Sequence, residues 1–212
     1  MIAPGLIEQV EERLARIYRF PLVTSAVPFF MKKEQFVATS PEVSPPRAAV
    51  FLTQTAETLD IGIFIEDGLL RILHEHDPNR ELNSENLDAY CVLIEELSHF
   101  HLLLQRSQSE RGVSQLELEW QGEVDKLLLA GLLMSEQKQT SCFKELHHSL
   151  FEASILSEDP VYQEASHYAA KCWHRLLPRC HNLQQLSLHL LPVLQSAYHG
   201  SWPHKLRLIQ SL

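Results

Sequence analysis

Glycine is scarce in this sequence: seven residues in 212. None forms the glycine-rich loop that lets backbone N–H groups close around a phosphate, so a P-loop or dinucleotide fingerprint is excluded. No serine sits in a GxSxG elbow, which removes the α/β-hydrolase arrangement. Cysteine is also sparse. Cys91, Cys142, Cys172 and Cys180 form no CxxC pair and no disulfide framework, and in a chain of this length they read as reduced cytosolic thiols. Positive charge is short too, with 18 Lys and Arg against 27 Asp and Glu. A net charge of −9 argues against nucleic acid as the main partner, because phosphate binding needs a basic surface. No apolar run approaches the ~20 residues that cross a bilayer. No basic segment followed by an apolar stretch opens the sequence, so no secretory leader and no membrane association are expected.

Apolar residues make up 45% of the chain, enough for a packed interior. The length suits one domain, 1–212, that buries roughly 70% of its unfolded surface. Twelve histidines make the charge sensitive to pH between about 5 and 7.

Hydrophobic periodicity predicts an α+β fold that is predominantly helical, with six to seven helices and a β-hairpin or small antiparallel sheet at 48–66. An amphipathic helix is expected over Gly5–Arg19, with Leu6, Val10, Leu14 and Ile17 buried. Five prolines then mark 21–47 as an extended arm, whose Phe29, Phe30 and Phe36 cover the domain's own core. In Leu59–Glu66, isoleucines alternate with Asp60, Gly62 and Phe64, the period of a half-buried strand. Ala48–Gln54 is its partner, and Thr55–Thr58 the loop. Two strands alone are marginal, so the hairpin must lie on helices or pair with the arm. A short helix follows from Asp67 to about His76. The knot His74-Glu75-His76-Asp77 resembles a fragment of a metallo-hydrolase HxHxDH motif, but the last His is missing and a solvated helix end is the better reading.

The longest patterned run is Leu87–Arg106, with Ser84 as the expected N-cap. Tyr90, Leu93, Leu97, Phe100 and Leu104 form its core stripe, and Asp88, Glu95, His99 and Arg106 a second, polar one. Glu96 falls between the two, where a carboxylate needs a partner. The plainest arrangement pairs Glu96 with His99 and leaves Glu95 and Arg106 in solvent. Ser114 and Glu117 then read as a capping box opening the next helix. Leu116, Trp120, Val124, Leu127 and Leu128 face its core, while Glu119, Glu123 and Lys126 flank them. Glu123 and Lys126 are expected to pair at the surface. Glu119 and Glu123 repel each other unless a cation or a proton lies between them. Further helices are expected over Ser141–Ile155, from Asp159-Pro160 to about Leu177, and from Asn182 to Gly200 with a kink at Pro192. Trp202–Ile209 forms a last turn or short helix.

Three groups offer metal chemistry. Glu95-Glu96-Leu97-Ser98-His99 followed by Glu119-x-x-x-Glu123 resembles zinc peptidases of the zincin type, which carry HExxH on one helix and a third ligand on the next. That resemblance implies His99, Glu95 and Glu119 or Glu123 as ligands to zinc or iron, and Glu96 as a general base; a carboxylate stands where the motif has its first His. Glu96-x-x-His99 and Glu164-x-x-His167, with Glu123 and Glu66, resemble the ligand set of ferritin-like dimetal proteins. His167, Cys172, His174, Cys180 and His181 form a third group without a recognised zinc spacing. Two functions follow as expectations. One is a non-catalytic interaction or regulatory protein with a protein partner for its acidic, helix-rich surface. The other is a metal-binding protein, in the form of a degenerate zincin-like hydrolase.

Overall fold

The computed structural model describes residues 4–39, 42, 44–54, 59–138, 143–152, 159–179 and 186–211. Among them are nine α-helices and one two-stranded antiparallel hairpin, so the fold is α+β and predominantly helical. The helices are α1 (Pro4–Tyr18), α2 (Lys33–Thr39), α3 (Asp67–Glu75), α4 (Leu87–Gln108), α5 (Gln115–Lys138), α6 (Phe143–His147), α7 (Pro160–Leu176), α8 (Leu191–His199) and α9 (Trp202–Ser211). No helix among the described residues is long and apolar enough to cross a membrane.

Helix α4 is the axis of the molecule. It packs against α5, α1, α3 and both strands, and residues 93–102 are buried without a break. A helix contacted on every side has no solvated stripe, which corrects the expectation that Glu95 and Arg106 face water. Its N-cap is Asn86 rather than Ser84. Buried Asn86 donates to the carbonyls of His76 and Glu81 and accepts from the Asn83 N–H, tying the turns before α4 together. The chain then reverses, and α5 runs back antiparallel along α4. The backbone N–H of Glu117 donates to Ser114 Oγ at 3.1 Å, half of a capping box. The Glu117 carboxylate is used elsewhere, on Arg106 and Lys205.

Strands β1 (Ala48–Gln54) and β2 (Leu59–Ile65) pair from Ala48↔Ile65 to Gln54↔Leu59. The expected loop, Thr55–Thr58, lies outside the described residues. Pleating sends Ile63 and Ile65 into the core shared with α4 and turns Phe51 and Phe64 the other way. The arm closes that second face. It is not simply extended: α2 forms within it, and its buried Phe36 sits 4.6 Å from the Phe51 ring and 5.1 Å from Phe64. Upstream, the Met31 N–H donates to the Ile63 carbonyl and Phe29 packs on Phe100, so the arm covers the domain's own core. The hairpin thus has helix on one face and arm on the other.

In the C-terminal half, Asp159 caps α7 by accepting from the Val161 N–H, and Pro160 fills the first turn, as the sequence predicts. The segment expected as one helix from Ser141 is α6 running on into a π-helical turn, His148–Glu152. At Pro192 the helical run changes from a π-helical to an α-helical hydrogen-bond pattern. The proline lies in the first turn of α8, where its missing N–H costs nothing, and a π-helical turn, Leu186–Leu190, precedes it. Asn182 and Gln185 lie outside the described residues.

Where α5 passes α6, Gly131 leaves no room for a side chain. A Cβ there would fall 2.4 Å from the Phe143 ring, itself buried against Trp173. Gly131→Ala is therefore expected to lower stability in urea unfolding by up to about 2 kcal/mol, the roughly 1–3 kcal/mol typical of overpacking less the ~1 kcal/mol that alanine adds to a helix. A stabilised variant would mean that Phe143 yields freely.

Candidate metal centre

The α4–α5 contact gathers the charged groups that the sequence singles out. Glu95, Glu96 and His99 project from α4, and Glu119, Glu123 and Lys126 from α5. The two backbones approach closely because residue 122 is glycine: a Cβ on Gly122 would stand 2.9 Å from His99 Nε2 and 3.1 Å from Glu95 Cγ. The imidazole occupies the space that any side chain at 122 would take. Tyr162 of α7 and the Val50 backbone of β1 complete the surroundings. A cavity of about 320 Å³ opens beside these groups, lined by Glu95, Glu96, His99, Glu119, Tyr162 and the Ala48–Val50 edge of β1.

Glu95, His99 and Glu119 each bring a ligand atom to within 4.8 Å of the other two, the one such cluster among the described residues. His99 Nε2 lies 3.7 Å from Glu119 Oε2 and meets no side-chain partner, while the imidazole reaches the Leu118 backbone of α5. Glu123 points away from this triad. Its Oε1 accepts from Lys126 Nζ at 2.8 Å, while the same ammonium donates to Glu95 Oε2 at 3.1 Å and to the Tyr162 hydroxyl at 2.9 Å. Tyr162 in turn donates to Glu95 Oε1 at 2.7 Å. The expected Glu123–Lys126 pair exists, but in the interior rather than at the surface.

Glu96 and His99 do not form the expected local hydrogen bond; Glu96 Oε2 and His99 Nδ1 are 4.0 Å apart. The Glu96 carboxylate accepts instead from the Val50 backbone, on the strand edge facing α4. Its Oε2 is buried and unpartnered. A carboxylate on the outer N–H of an edge strand caps that edge against further pairing.

Four carboxylates thus share this interior with one ammonium and one imidazole. Burial pushes Glu96 well above the ordinary carboxylate range, with Glu95 and Glu119 adding to it. Glu119 is pushed up to about 7 by burial and then by Glu95, and burial also raises Glu123 against the pull of Lys126. Burial would raise Glu95 as well, but Lys126 and the Tyr162 hydrogen bond hold it low. Burial lowers His99 to about 4, so the imidazole is neutral at neutral pH and carries a lone pair. Two carboxylates and a neutral imidazole, short of positive charge, make a donor set suited to zinc, iron or manganese.

The other two groups do not assemble. Glu164 and His167 are exposed on α7, and Glu66 precedes α3, 3.8 Å from Arg47. Cys172 is buried while His174 is exposed, and Cys180 and His181 lie outside the described residues. The knot at His74–His76 is solvent-exposed, with His76 3.3 Å from Glu85. Sequence reasoning passes over Tyr162, since nothing local marks a tyrosine 67 positions from its partner Glu95.

A raised carboxyl favours the fold while it is protonated. The contribution of Glu119 is complete below its ordinary value near 4.5 and is lost as pH rises through about 7. In chelator-treated protein, Glu119→Gln should therefore gain on the natural chain by on the order of 3 kcal/mol between pH 4.5 and pH 8. Urea unfolding at the two pH values measures this; a gap that does not change with pH would place Glu119 in solvent.

The chain matches no known protein-family model, no curated protein and no solved structure, and its chemistry rests on the side chains just described.

Proposed function

We propose that this protein binds one divalent transition-metal ion through Glu95, His99 and Glu119. The observation that carries the reading is His99 Nε2: a buried nitrogen of a neutral imidazole that meets no side-chain partner, held beside two carboxylates at a cavity. Leaving such a group unpaired costs about 1–3 kcal/mol, and a bound cation removes that cost together with the surplus of negative charge. Three protein ligands are the number found in sites that keep a position for water or substrate. When bound there, zinc or iron would supply a more acidic water or a polarised carbonyl. Glu96 is the group placed to exchange a proton with a molecule in the cavity, through the Oε2 that no partner occupies. Those roles support a hydrolase with an incomplete zincin-like motif, in which Glu95 stands in for imidazole. Lys126 and Tyr162 hold Glu95 in place.

A second reading, an interaction or regulatory role through the acidic, helix-rich surface, draws on the net charge of −9. Exposed Leu22, Val23, Val37 and Leu52 on the arm and hairpin also favour a protein partner.

Elemental analysis of protein purified without an affinity tag tests the first reading. About one equivalent of zinc, iron or manganese per chain is expected, retained through gel filtration and lost in both His99→Ala and Glu119→Gln. Free metal at a hundredfold its Kd should stabilise the natural chain by ~2.7 kcal/mol and the two variants by nothing. A chain that purifies without metal and takes none up on addition refutes the site.

A further inference from the structure

Glu95 stands between two groups: Oε2 accepts from Lys126 and Oε1 from the Tyr162 hydroxyl, while one of these oxygens also lies within 4.8 Å of ligand atoms of His99 and Glu119. The Lys126 ammonium enters from α5 and meets three oxygens, Glu123 Oε1 at 2.8 Å, the Tyr162 hydroxyl at 2.9 Å and Glu95 Oε2 at 3.1 Å. It is almost wholly buried, and the Tyr162 ring lies 5.3 Å from it. Oxygens from two carboxylates and a phenol, converging on one point next to a carboxylate shared with a neighbouring ligand set, form a cage for a cation. The cation seen in it is tethered to the chain. We infer that Lys126 occupies the second cation position of a two-cation centre built around Glu95, and so limits the protein to one metal ion.

The inference rests on the metal-binding reading and goes beyond it by assigning the stoichiometry to one side chain. Two hard cations bridged by a carboxylate sit about 3.5–4 Å apart in two-metal sites. In this interior the second charge is supplied by the protein and cannot exchange with solution. The arrangement also explains why Glu123, at helical spacing from Glu119, is turned away from the triad: its charge is already matched. Removing the ammonium would leave Glu95 and Glu123 facing a space with no counter-charge, which a divalent ion can enter as a lysine side chain leaves it.

Equilibrium dialysis against Mn²⁺, with the manganese counted per folded chain and its spin coupling read by electron paramagnetic resonance, tests this. The natural chain should saturate at one uncoupled ion. Lys126→Ala should saturate at two, with the spectrum of a coupled pair, and Lys126→Ala combined with Glu123→Gln should return to one. If Lys126→Ala is unfolded in chelator, the inference requires Mn²⁺ to restore its circular dichroism, since the ion replaces the missing charge. Lys126→Gln, which keeps a donor to the same oxygens, should fold and show an intermediate second uptake. Saturation at one in Lys126→Ala, two ions in the natural chain, or failure of both lysine variants to fold in excess Mn²⁺ overturns it. No uptake by the natural chain would refute the metal-binding reading itself, a result distinct from each of these.

Discussion

The packing of α4 against α5 sets the terms for the rest of the molecule, because it forces charged groups into an interior that must neutralise them. Glu95, Glu96, Glu119 and Glu123 cannot all be ionised there against Lys126 alone, since each unpaired buried charge costs several kcal/mol. The fold meets that demand piece by piece. Lys126 spans Glu95 and Glu123, Tyr162 reaches in from α7 to the far oxygen of Glu95, and the edge of β1 gives Glu96 an N–H. Gly122 provides the clearance that lets the two helices come close enough for this. The hairpin and α7 are therefore attached to the central pair by polar contacts as well as by apolar burial.

Much of the architecture could be read from short stretches. The isoleucine alternation from Leu59 to Ile65 marks a strand, and Asp159-Pro160 marks a helix start, because both signals act over a few residues and no tertiary contact overrides them. Helix α2 escaped that reading. Its sequence is ordinary, and what fixes it is Phe36 seated on Phe51 and Phe64, a contact made only once the hairpin exists. The candidate site was legible to the same depth. Spacings of four, Glu95 to His99 and Glu119 to Glu123, put the right residue types on two facing stripes. Which of Glu119 and Glu123 joins Glu95 and His99 depends on Lys126, and which carboxylate meets a strand depends on the arm and hairpin. Burial was misjudged for Glu95, Arg106 and the Glu123–Lys126 pair for one reason. Charge predicts exposure only where a helix has a free side: α4 has none over residues 93–102 and α5 none over 120–131, and Arg106 is covered by the Tyr198 and Gly200 carbonyls it donates to.

Two further buried polar networks in the same molecule show what a purely structural solution looks like. Arg106 and Lys205 both meet the Glu117 carboxylate, and Arg106 also donates to the carbonyls of Tyr198 and Gly200, fastening α8 and α9 to the α4–α5 turn. Lys205 continues to Gln121, which donates to Asp125; Asp125 also accepts from Ser98 and Tyr18. On the other flank, Glu11 accepts from Ser25 and the Ala26 N–H and meets His101 Nε2 at 2.9 Å. In the first network two carboxylates stand against two cations. In the second, a single carboxylate has three partners.

The group at Glu95, Glu96, His99 and Glu119 follows neither pattern. It has more carboxylates than cations, keeps two unpartnered polar atoms, Glu96 Oε2 and His99 Nε2, and borders a cavity. Of the five orphaned buried side-chain atoms among the described residues, those of Trp120, Trp173 and Tyr198 belong to large aromatic side chains on separate helices, while the other two belong to residues one turn apart on α4, beside a third ligand from α5. Buried polar networks that serve only the fold are closed, because any open member costs stability without return. Two of the five orphaned atoms meet beside one cavity, and that is the arrangement the proposed metal ion would complete.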